Sequence, residues 1–411
     1  ILHFLHKGAA MLAKEIFTKE DEQYIIDIRR TLHRWPEGGF DTPKTLELVC
    51  NKLSEAGIEY TDKYGLASIV GYINKDLKGP DGKRAFTIAI RADMDALPVT
   101  EKTGLEYCSV REGFMHACGH DAHTAMLLGT GKVLKRLEKQ LSCRVKLIFQ
   151  ACEESAFDKR SGAKMMCEDG VLDDVDVVLG QHVDNNVPCG KIGMHPGPAC
   201  SNSNPITIEF FGKSSHATKP DCGIDALAMA VKFINDYQYV LTRRVSPTEP
   251  VASSVCSLHT SSDNFNVTSD YAVIKMTLRT FSDEANDLIE GQIRMLADNA
   301  AKEMGGSAKV NACINYPAGF NDDKVFNLLK ASQAKVVGEE NCVDSGLEMS
   351  SEDFAFYSRI KPAAFVRLGT GNTAKGCTQA LHANDFCIDE DSFAIGSKAM
   401  LQFVFDYQNG I

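Results

Sequence analysis

The first 200 residues alternate helical patterns with short apolar runs, and this alternation constrains the fold most strongly. The runs RAFTIAI (84–90), RVKLIF (144–149) and VDVVLG (175–180) are separated by segments with helical spacing, such as TAMLLGTGKVLKRLEKQ (124–140). Strands that are apolar along their whole length are buried on both faces, as in a parallel sheet between helices. The pattern therefore predicts an α/β fold with a mostly parallel sheet flanked by helices.

The pattern changes near residue 200, where the order of elements becomes β-α-β-β-α-β. The four strands are NPITIEFFG, VASSVCSLHT, YAVIKMTLRTF and AKVNACIN, and two long helical patterns separate them. This order is typical of a ferredoxin-like α+β domain. A chain of 411 residues also exceeds what one hydrophobic core usually supports. We therefore predict one domain from residues 11–198 and 315–411, with an α+β domain inserted at residues 199–314.

Charge and cysteine content limit the classes of partner. The formal net charge of −11 argues against nucleic acid or an anionic membrane surface as a partner, and no apolar run reaches the roughly 18 residues of a membrane span. The 14 cysteines are scattered without a C-x-x-C pair, which is typical of reduced thiols in a cytoplasmic protein. The apolar segment ILHFLHKGAAM lacks the pattern of a signal peptide, and we interpret it as a remnant upstream of Met11 or a frayed helix.

Acids and histidines follow four of the predicted strands. Open α/β sheets bind ligands beyond the carboxyl ends of their strands, so these side chains are expected to meet at one edge. They are Asp93 and Asp95 in RADMD, Glu153 and Glu154 in QACEE, His182 in QHVD and His382 in LHAND.

The segment MHACGHDAH (115–123) supplies further candidate ligands. Gly119 between Cys118 and His120 indicates a turn that could bring both to one ion, with a helix starting near Asp121, whose side chain could cap it. By itself the segment is equally compatible with a buried thiol in a capping loop. Together with the strand-end residues it favours a metal site. Thiolate, imidazole and carboxylate ligands suit Zn, Mn, Co or Ni, whereas Ca and Mg prefer oxygen shells.

The pair Glu153–Glu154 could divide the work of a metal hydrolase. Neighbouring side chains on an extended chain point to opposite sides, so one glutamate could bind metal while the other takes a proton from water. Two like charges this close also raise one pKa, which suits a base. Two solvated acids at a strand end are the alternative interpretation.

Eight short motifs follow one another along the chain in the order that a known family shows. They are TLHRWPE (31–37), RADMDALPV (91–99), MHACGHDAHTAMLLG (115–129), EE (153–154), GQHV (180–183), GKSSHATKP (212–220), SEDFAF (351–356) and LHAND (381–385). With them the sequence resembles the zinc-peptidase-related metal-dependent amidohydrolases. It is most similar to the branch of hippurate hydrolase, aminobenzoyl-glutamate hydrolase, N-acetyldiaminopimelate deacetylase and plant auxin–amino acid conjugate hydrolases.

The resemblance implies a catalytic α/β domain with an inserted lid domain that also forms a homodimer. It implies two divalent metal ions per subunit, held by Cys118 as the bridging thiolate and by His120, Glu154, His182 and His382. Glu153 would be the general base, and His216 of the lid would stabilise the oxyanion, in its own subunit or across the dimer. Asn266 and Arg279 would bind the substrate carboxylate, since arginine can grip a carboxylate bidentately. Asp93 would support the ligands from outside.

Some positions depart from the family or stay outside its site. EESAFDKRSGAK (153–164) replaces a compact glycine-rich turn, and NVTSD replaces NVIPD around Asn266. We interpret His33, His116 and His123 as satisfied structural histidines, and we assign no role to His195 or His259.

We therefore predict a hydrolase that cuts the amide bond of small N-acyl amino acids. A hydroxide held by the metals, formed by proton transfer to Glu153, would attack the acyl carbonyl. Three alternatives remain open at this point: a dipeptidase or carboxypeptidase with the same ligands, a metal-binding relative without catalysis, and a thiol redox sensor built on Cys118.

Overall fold

The structure is a computed structural model that describes residues 11–154 and 160–410; the interpretation of the N-terminal apolar segment falls largely outside them. The α-helices of these residues are α1 (Ala13–Ile16), α2 (Lys19–Arg34), α3 (Pro43–Glu55), α4 (His120–Arg136), α5 (Gly162–Glu168), α6 (Ala226–Arg243), α7 (Asp283–Glu303), α8 (Asp323–Val337), α9 (Ala355–Ser358) and α10 (Asp391–Tyr407). The strands are β1 (Glu59–Thr61), β2 (Ile69–Ile73), β3 (Thr87–Asp93), β4 (Arg144–Gln150), β5 (Val177–Pro188), β6 (Ile192–Met194), β7 (Gly197–Cys200), β8 (Asn204–Phe211), β9 (Val251–Thr260), β10 (Tyr271–Thr280), β11 (Ser307–Ala312), β12 (Gly319–Asn321), β13 (Cys342–Asp344) and β14 (Ala363–Gly371).

The chain forms two compact units. The larger unit comprises Ile1–Ala199, Phe320–Leu347 and Asp353–Ile411, and the smaller comprises Cys200–Gly319 and Glu348–Glu352. The chain passes between the units within β7, within β12, and at each end of Glu348–Glu352.

The larger unit contains an eight-stranded sheet in the order β1-β2-β4-β3-β5-β14-β6-β13. Its centre, β4-β3-β5-β14, is parallel throughout. The predicted α/β class with a mostly parallel sheet is confirmed. In this register Asp93 lies beside Gln150, and His182 lies beside Arg367. The residues that follow β3 and β4 therefore emerge at one edge of the sheet, next to the His182 segment of β5.

Alternate side chains of the central strands enter two separate hydrophobic cores. Ile88 and Ile90 pack into the core shared with α2, α3, α4, α8 and α10, whereas Ala89 packs into a second core with residues of α5 and α9. Successive side chains of a strand point to opposite faces, so a sheet covered on both sides requires apolar residues at every position. This requirement explains the continuous apolar runs in the sequence.

The smaller unit contains a four-stranded antiparallel sheet in the order β11-β8-β10-β9. The predicted β-α-β-β-α-β order of a ferredoxin-like domain is confirmed. In β8 only alternate residues, Ile206, Ile208 and Phe210, enter the core that α6 and α7 cover. One face of this sheet is therefore outside the core, which explains why its strands read as alternating rather than continuous apolar runs.

No helix among the described residues is both long and apolar enough to cross a membrane. All 14 cysteines are described, and all are free thiols.

Candidate metal centre

The segment MHACGHDAH forms a turn that leads directly into α4. Gly119 has a φ of +82°, and a Cβ there would lie 2.4 Å from Cγ2 of Val183, so the turn requires glycine. The helix begins at His120, and Gly119 is its N-cap without a side-chain bond. The predicted cap by Asp121 is therefore wrong. Oδ2 of Asp121 instead accepts from Nδ1 of His33 at 2.6 Å and pairs with Arg29.

The five residues predicted as metal ligands lie together in the larger unit. Sγ of Cys118 lies 3.4 Å from Nε2 of His182 and 3.3 Å from Nε2 of His382. Nε2 of His382 lies 3.2 Å from Oε1 of Glu154. Ligand atoms of Cys118, His120 and Glu154 lie within 4.8 Å of one another. Cys118 is thus the common neighbour of the other four.

Hydrogen bonds to the backbone fix the tautomers of two neighbouring histidines. Nδ1 of His182 donates to the carbonyl of Val183 at 2.7 Å, and a carbonyl can only accept, so Nε2 keeps a free lone pair facing Cys118. The N–H of Val183 donates to Nε2 of His123 at 2.9 Å, and Nδ1 of His123 donates to Asp93 at 2.6 Å. Both nitrogens of His123 are used, so His123 has no lone pair left for a metal.

Asp93 also belongs to a geometrically possible group of ligands with His120, His123 and His182. Its carboxylate already accepts from Arg91 at 2.8 Å and from His123, and it lies 3.5 Å from Nε2 of His120. Burial would raise the pKa of Asp93, but His120 and Arg91 hold it well below its usual range. Asp93 is thus an ionised, fully buried group that orients its neighbours.

The two adjacent glutamates face different neighbours. Both backbone N–H groups donate to Asp95, at 2.9 Å for Glu153 and 3.0 Å for Glu154. Oε1 of Glu154 contacts His382, whereas Oε1 of Glu153 accepts from the N–H of Asp353 at 3.4 Å. Cys152, directly before them, has a φ of +54°, which is uncommon for a residue with a side chain. The backbone at this strand end therefore presents one carboxylate to the histidines and the other to Asp353.

His116 differs from the interpretation as a satisfied structural histidine. It is buried, but neither ring nitrogen has a hydrogen-bond partner among the described residues. Burial lowers the pKa of His116 to about 3, so its ring is neutral. His33 does satisfy that interpretation, because its nitrogens contact Asp121 and Glu101.

The electrostatics of the cluster fit a divalent cation. Both ring nitrogens of His120 are buried without a hydrogen-bond partner among the described residues. Burial would lower the pKa of His120, but Asp93, Asp95 and Glu154 raise it to about 10. Burial, with Glu154, Glu153 and Asp93 nearby, raises the pKa of the Cys118 thiol. A bound cation would replace these protons, and the donor set of sulfur, nitrogen and oxygen suits Zn, Mn, Co or Ni.

Asp353 is the centre of a hydrogen-bond network. No role was predicted for it from the sequence, although it belongs to the SEDFAF motif. Oδ1 of Asp353 accepts from Arg91 at 2.7 Å, and Oδ2 accepts from the hydroxyl of Ser161 at 2.6 Å. Nε2 of Gln150 also donates to this carboxylate at 2.8 Å. Asp353 thereby joins the end of β3, the end of β4 and the start of α5 beneath Glu153.

The other three predicted residues lie in the smaller unit. His216 and Asn266 are brought together by the backbone, because Ala217 N–H donates to the Asn266 carbonyl at 2.9 Å. His216 is exposed, and its Nδ1 accepts from the N–H of Thr218 at 3.2 Å. Arg279 lies in β10, half-buried, and its Nη1 donates to the Asn202 carbonyl at 3.3 Å.

Known proteins resemble this chain over nearly its whole length. Residues 89–406 match the model of Peptidase family M20/M25/M40. The chain is 31% identical over 393 residues to thermostable carboxypeptidase 1 of Saccharolobus solfataricus, covering 95% of this chain and 97% of that protein. It is 33% identical over 375 residues to N-acetylcysteine deacetylase of Bacillus subtilis, covering 91% and 94%. Among solved structures it is similar to the Bacillus subtilis YXEP protein, described as a dinuclear metal binding peptidase from the M20 family. That match has a TM-score of 0.80 and 29% identity over 95% of this chain and 99% of the other.

Proposed function

We propose that this chain hydrolyses the amide bond of small N-acyl amino acids, because it belongs to peptidase family M20/M25/M40. The resemblance drawn from the motifs is confirmed, and the chain is a metal-dependent hydrolase of that family. The relatives include both a carboxypeptidase and a deacetylase, so a carboxypeptidase or dipeptidase is the second candidate.

Five side chains would hold the metal ions: Cys118, His120, Glu154, His182 and His382. Bound divalent ions would supply Lewis-acid activation of water and of the acyl carbonyl. His182 offers Nε2 because its Nδ1–H is held by Val183, and Asp93 orients His120 from behind. We propose two ions per subunit, of Mn, Zn, Co or Ni, in line with the dinuclear relative.

Glu153 would act as the general base. It would take a proton from the attacking water and return it to the leaving amine nitrogen, which yields a carboxylic acid and a free amino acid. The contact of Glu154 with His382 supports this division, because Glu153 faces Asp353 instead of the histidines. The proposal rests on this separation of the two adjacent carboxylates: Glu154 contacts His382, whereas Glu153 faces Asp353.

The smaller unit would supply substrate contacts. The N–H of Thr218 makes Nδ1 of His216 an acceptor, so a neutral His216 carries its hydrogen on Nε2 and could donate to a developing oxyanion. Burial lowers the pKa of Arg279, and no carboxylate pairs with Arg279 anywhere in residues 11–154 and 160–410. A half-buried guanidinium without such a partner suits the carboxylate of an amino acid, with Asn266 as a further contact.

A substrate panel tests the function directly. Metal-loaded protein is offered N-acetyl and N-benzoyl amino acids, dipeptides, and matched acyl amides that lack the carboxylate. We expect the acyl amino acids to be cleaved fastest; cleavage of dipeptides alone would favour the second candidate. Prolonged chelation should abolish turnover, and Mn or Zn should restore it. Turnover in protein verified as metal-free would contradict the proposal.

Arg279→Gln should raise KM for acyl amino acids about tenfold or more, because a charged hydrogen bond is lost. The acyl amides without a carboxylate serve as the control, since their kinetics should stay unchanged. Equal effects on both substrate types would contradict the proposed role of Arg279.

We also propose a homodimer that forms through the smaller unit, and a cytoplasmic location. In support, β9 is an edge strand whose backbone could pair with a second chain, and α6 exposes Val231 and Tyr239. Val231→Lys should lower the molar mass in light scattering, whereas Met295→Lys, on α7, should not.

The 14 free cysteines support the proposed cytoplasmic location, which cell fractionation tests.

A further inference from the structure

Two cysteines enclose the loop that carries His382. Sγ of Cys377 and Sγ of Cys387 lie 3.5 Å apart, and His382 is midway between them in the chain. Both are free thiols, and neither belongs to the cluster of metal ligands described above. The fold therefore brings together two thiols that have no role in the proposed reaction.

The backbone at both ends of this loop is already held in place. The N–H of Asn372 donates to the carbonyl of Cys377 at 2.8 Å, and Nδ2 of Asn185 donates to the carbonyl of Cys387 at 2.9 Å. A disulfide has an S–S bond of about 2.05 Å, so the two sulfurs must approach by about 1.5 Å. We expect rotation of the two short side chains to supply this movement.

The pair lies beside a cavity. Cys377 lines a cavity of about 350 Å³, together with Cys189, Asn185 and Asn372, and Cys387 is half-buried. A volume of this order accommodates a small ligand.

The two thiols are chemically unequal. The hydrogen bond with Cys377 lowers the pKa of Cys387 to about 7, whereas the same contact raises the pKa of Cys377. Burial, with Asp389 nearby, raises the pKa of Cys189 in the same cavity to about 11. Cys387 is also the more exposed of the two side chains, and because a thiolate is the attacking species in exchange, Cys387 is the first nucleophile and Cys377 the second.

We propose that Cys377 and Cys387 form a thiol–disulfide exchange site, where a low-molecular-weight disulfide produces an intramolecular disulfide that closes the loop around His382. The Cys387 thiolate attacks one sulfur of the reagent RSSR and releases RS⁻, which leaves a mixed disulfide on Cys387. Sγ of Cys377 then attacks Sγ of Cys387 and displaces the second RS⁻, which takes the proton of Cys377. The two cysteines lose two electrons and RSSR becomes two thiols.

Peptide mass measurement tests this proposal. The full chain is reduced, treated with oxidised glutathione, blocked with iodoacetamide and digested with trypsin. Cleavage after Lys375 and Lys398 yields one peptide that contains Cys377 and Cys387 and no other cysteine. We expect this peptide to lose two hydrogens and to take up no alkyl group, and dithiothreitol to reverse both changes. A peptide alkylated on both cysteines after glutathione treatment would overturn the proposal.

Three variants separate the roles of the cysteines. Cys377→Ser should accumulate a glutathione adduct on Cys387, and Cys387→Ser should leave Cys377 open to alkylation. Cys189→Ser, in the same cavity, is the matched control and should form the loop disulfide as the unchanged protein does. Loss of the disulfide in Cys189→Ser would overturn the pairing. The readout is covalent mass, so it is independent of whether the proposed amide hydrolysis is correct.

Discussion

Sγ of Cys118 lies 3.4 Å from Nε2 of His182, although 64 residues separate them in the chain. The contact depends on the Gly119 turn, which packs against Val183, and on the Val183 carbonyl, which holds the other nitrogen of His182. Cys118 also lies beside His382 and Glu154, so it is the centre of the candidate site.

Cys118→Ala should lower the metal content of the protein, because it removes the thiolate that neighbours every other predicted ligand. The metal bound per subunit is measured by elemental analysis after dialysis against buffered metal. Cys143→Ala is the control, since Cys143 is buried in the same hydrophobic core but belongs to none of the possible ligand groups among the described residues. Unchanged metal content in Cys118→Ala would remove it from the ligand set.

Glu153→Gln should reduce kcat by about a hundredfold or more while the metal content stays full, because a positioned general base contributes rates of this order. Glu154→Gln should instead lower the metal content, since Glu154 contacts His382. Steady-state kinetics and elemental analysis on the same preparations separate the two effects. An active Glu153→Gln variant would disprove the assignment of the base.

Metal uptake should become tighter as pH rises. The pKa of His120 is raised to about 10 and that of Cys118 is also raised, so both are protonated at pH 7 without metal. A metal ligand must be deprotonated, so binding releases about two protons and the affinity rises about a hundredfold per pH unit between pH 6 and 8. Calorimetric titration in buffers of different protonation enthalpy counts these protons. Uptake without proton release would contradict the prediction.

Asp353→Asn should lower both stability and turnover without removing metal. The side-chain NH2 of the new asparagine would face groups that now donate to the carboxylate, among them the Ser161 hydroxyl and the Ala163 N–H. This change should lower the free energy of unfolding by about 3 kcal/mol. Urea unfolding measures the free energy, and kcat reports the effect on Glu153. Asp298→Asn is the control, because its exposed ion pair with Lys302 is worth less than about 1 kcal/mol. Equal losses in both variants would contradict a special role for Asp353.

The sequence determined the layers of the fold because hydrophobic patterning is local. Continuous apolar runs predicted a sheet buried on both faces, and cores on both faces of β3 explain them. The change of element order near residue 200 predicted a separate α+β domain, and in its strand β8 only Ile206, Ile208 and Phe210 enter the core. The residues of the candidate centre could also be named, because each follows a strand or stands in a motif that the family resemblance brought to notice.

Only the tertiary structure decided how those residues are used. The sequence could not distinguish the histidines of MHACGHDAH by hydrogen bonding, because the partners of His123 lie on β3 and β5, far along the chain. The same reason explains the wrong cap: Asp121 meets Arg29 and His33 of α2, and a buried ion pair outweighs a local bond to the helix end. Asp353 is likewise held by a partner far along the chain, and the backbone of Cys387, which contacts Cys377, is held by the distant Asn185. Patterns along the chain fix which face is buried, whereas the orientation of a polar side chain depends on partners that only the folded chain supplies.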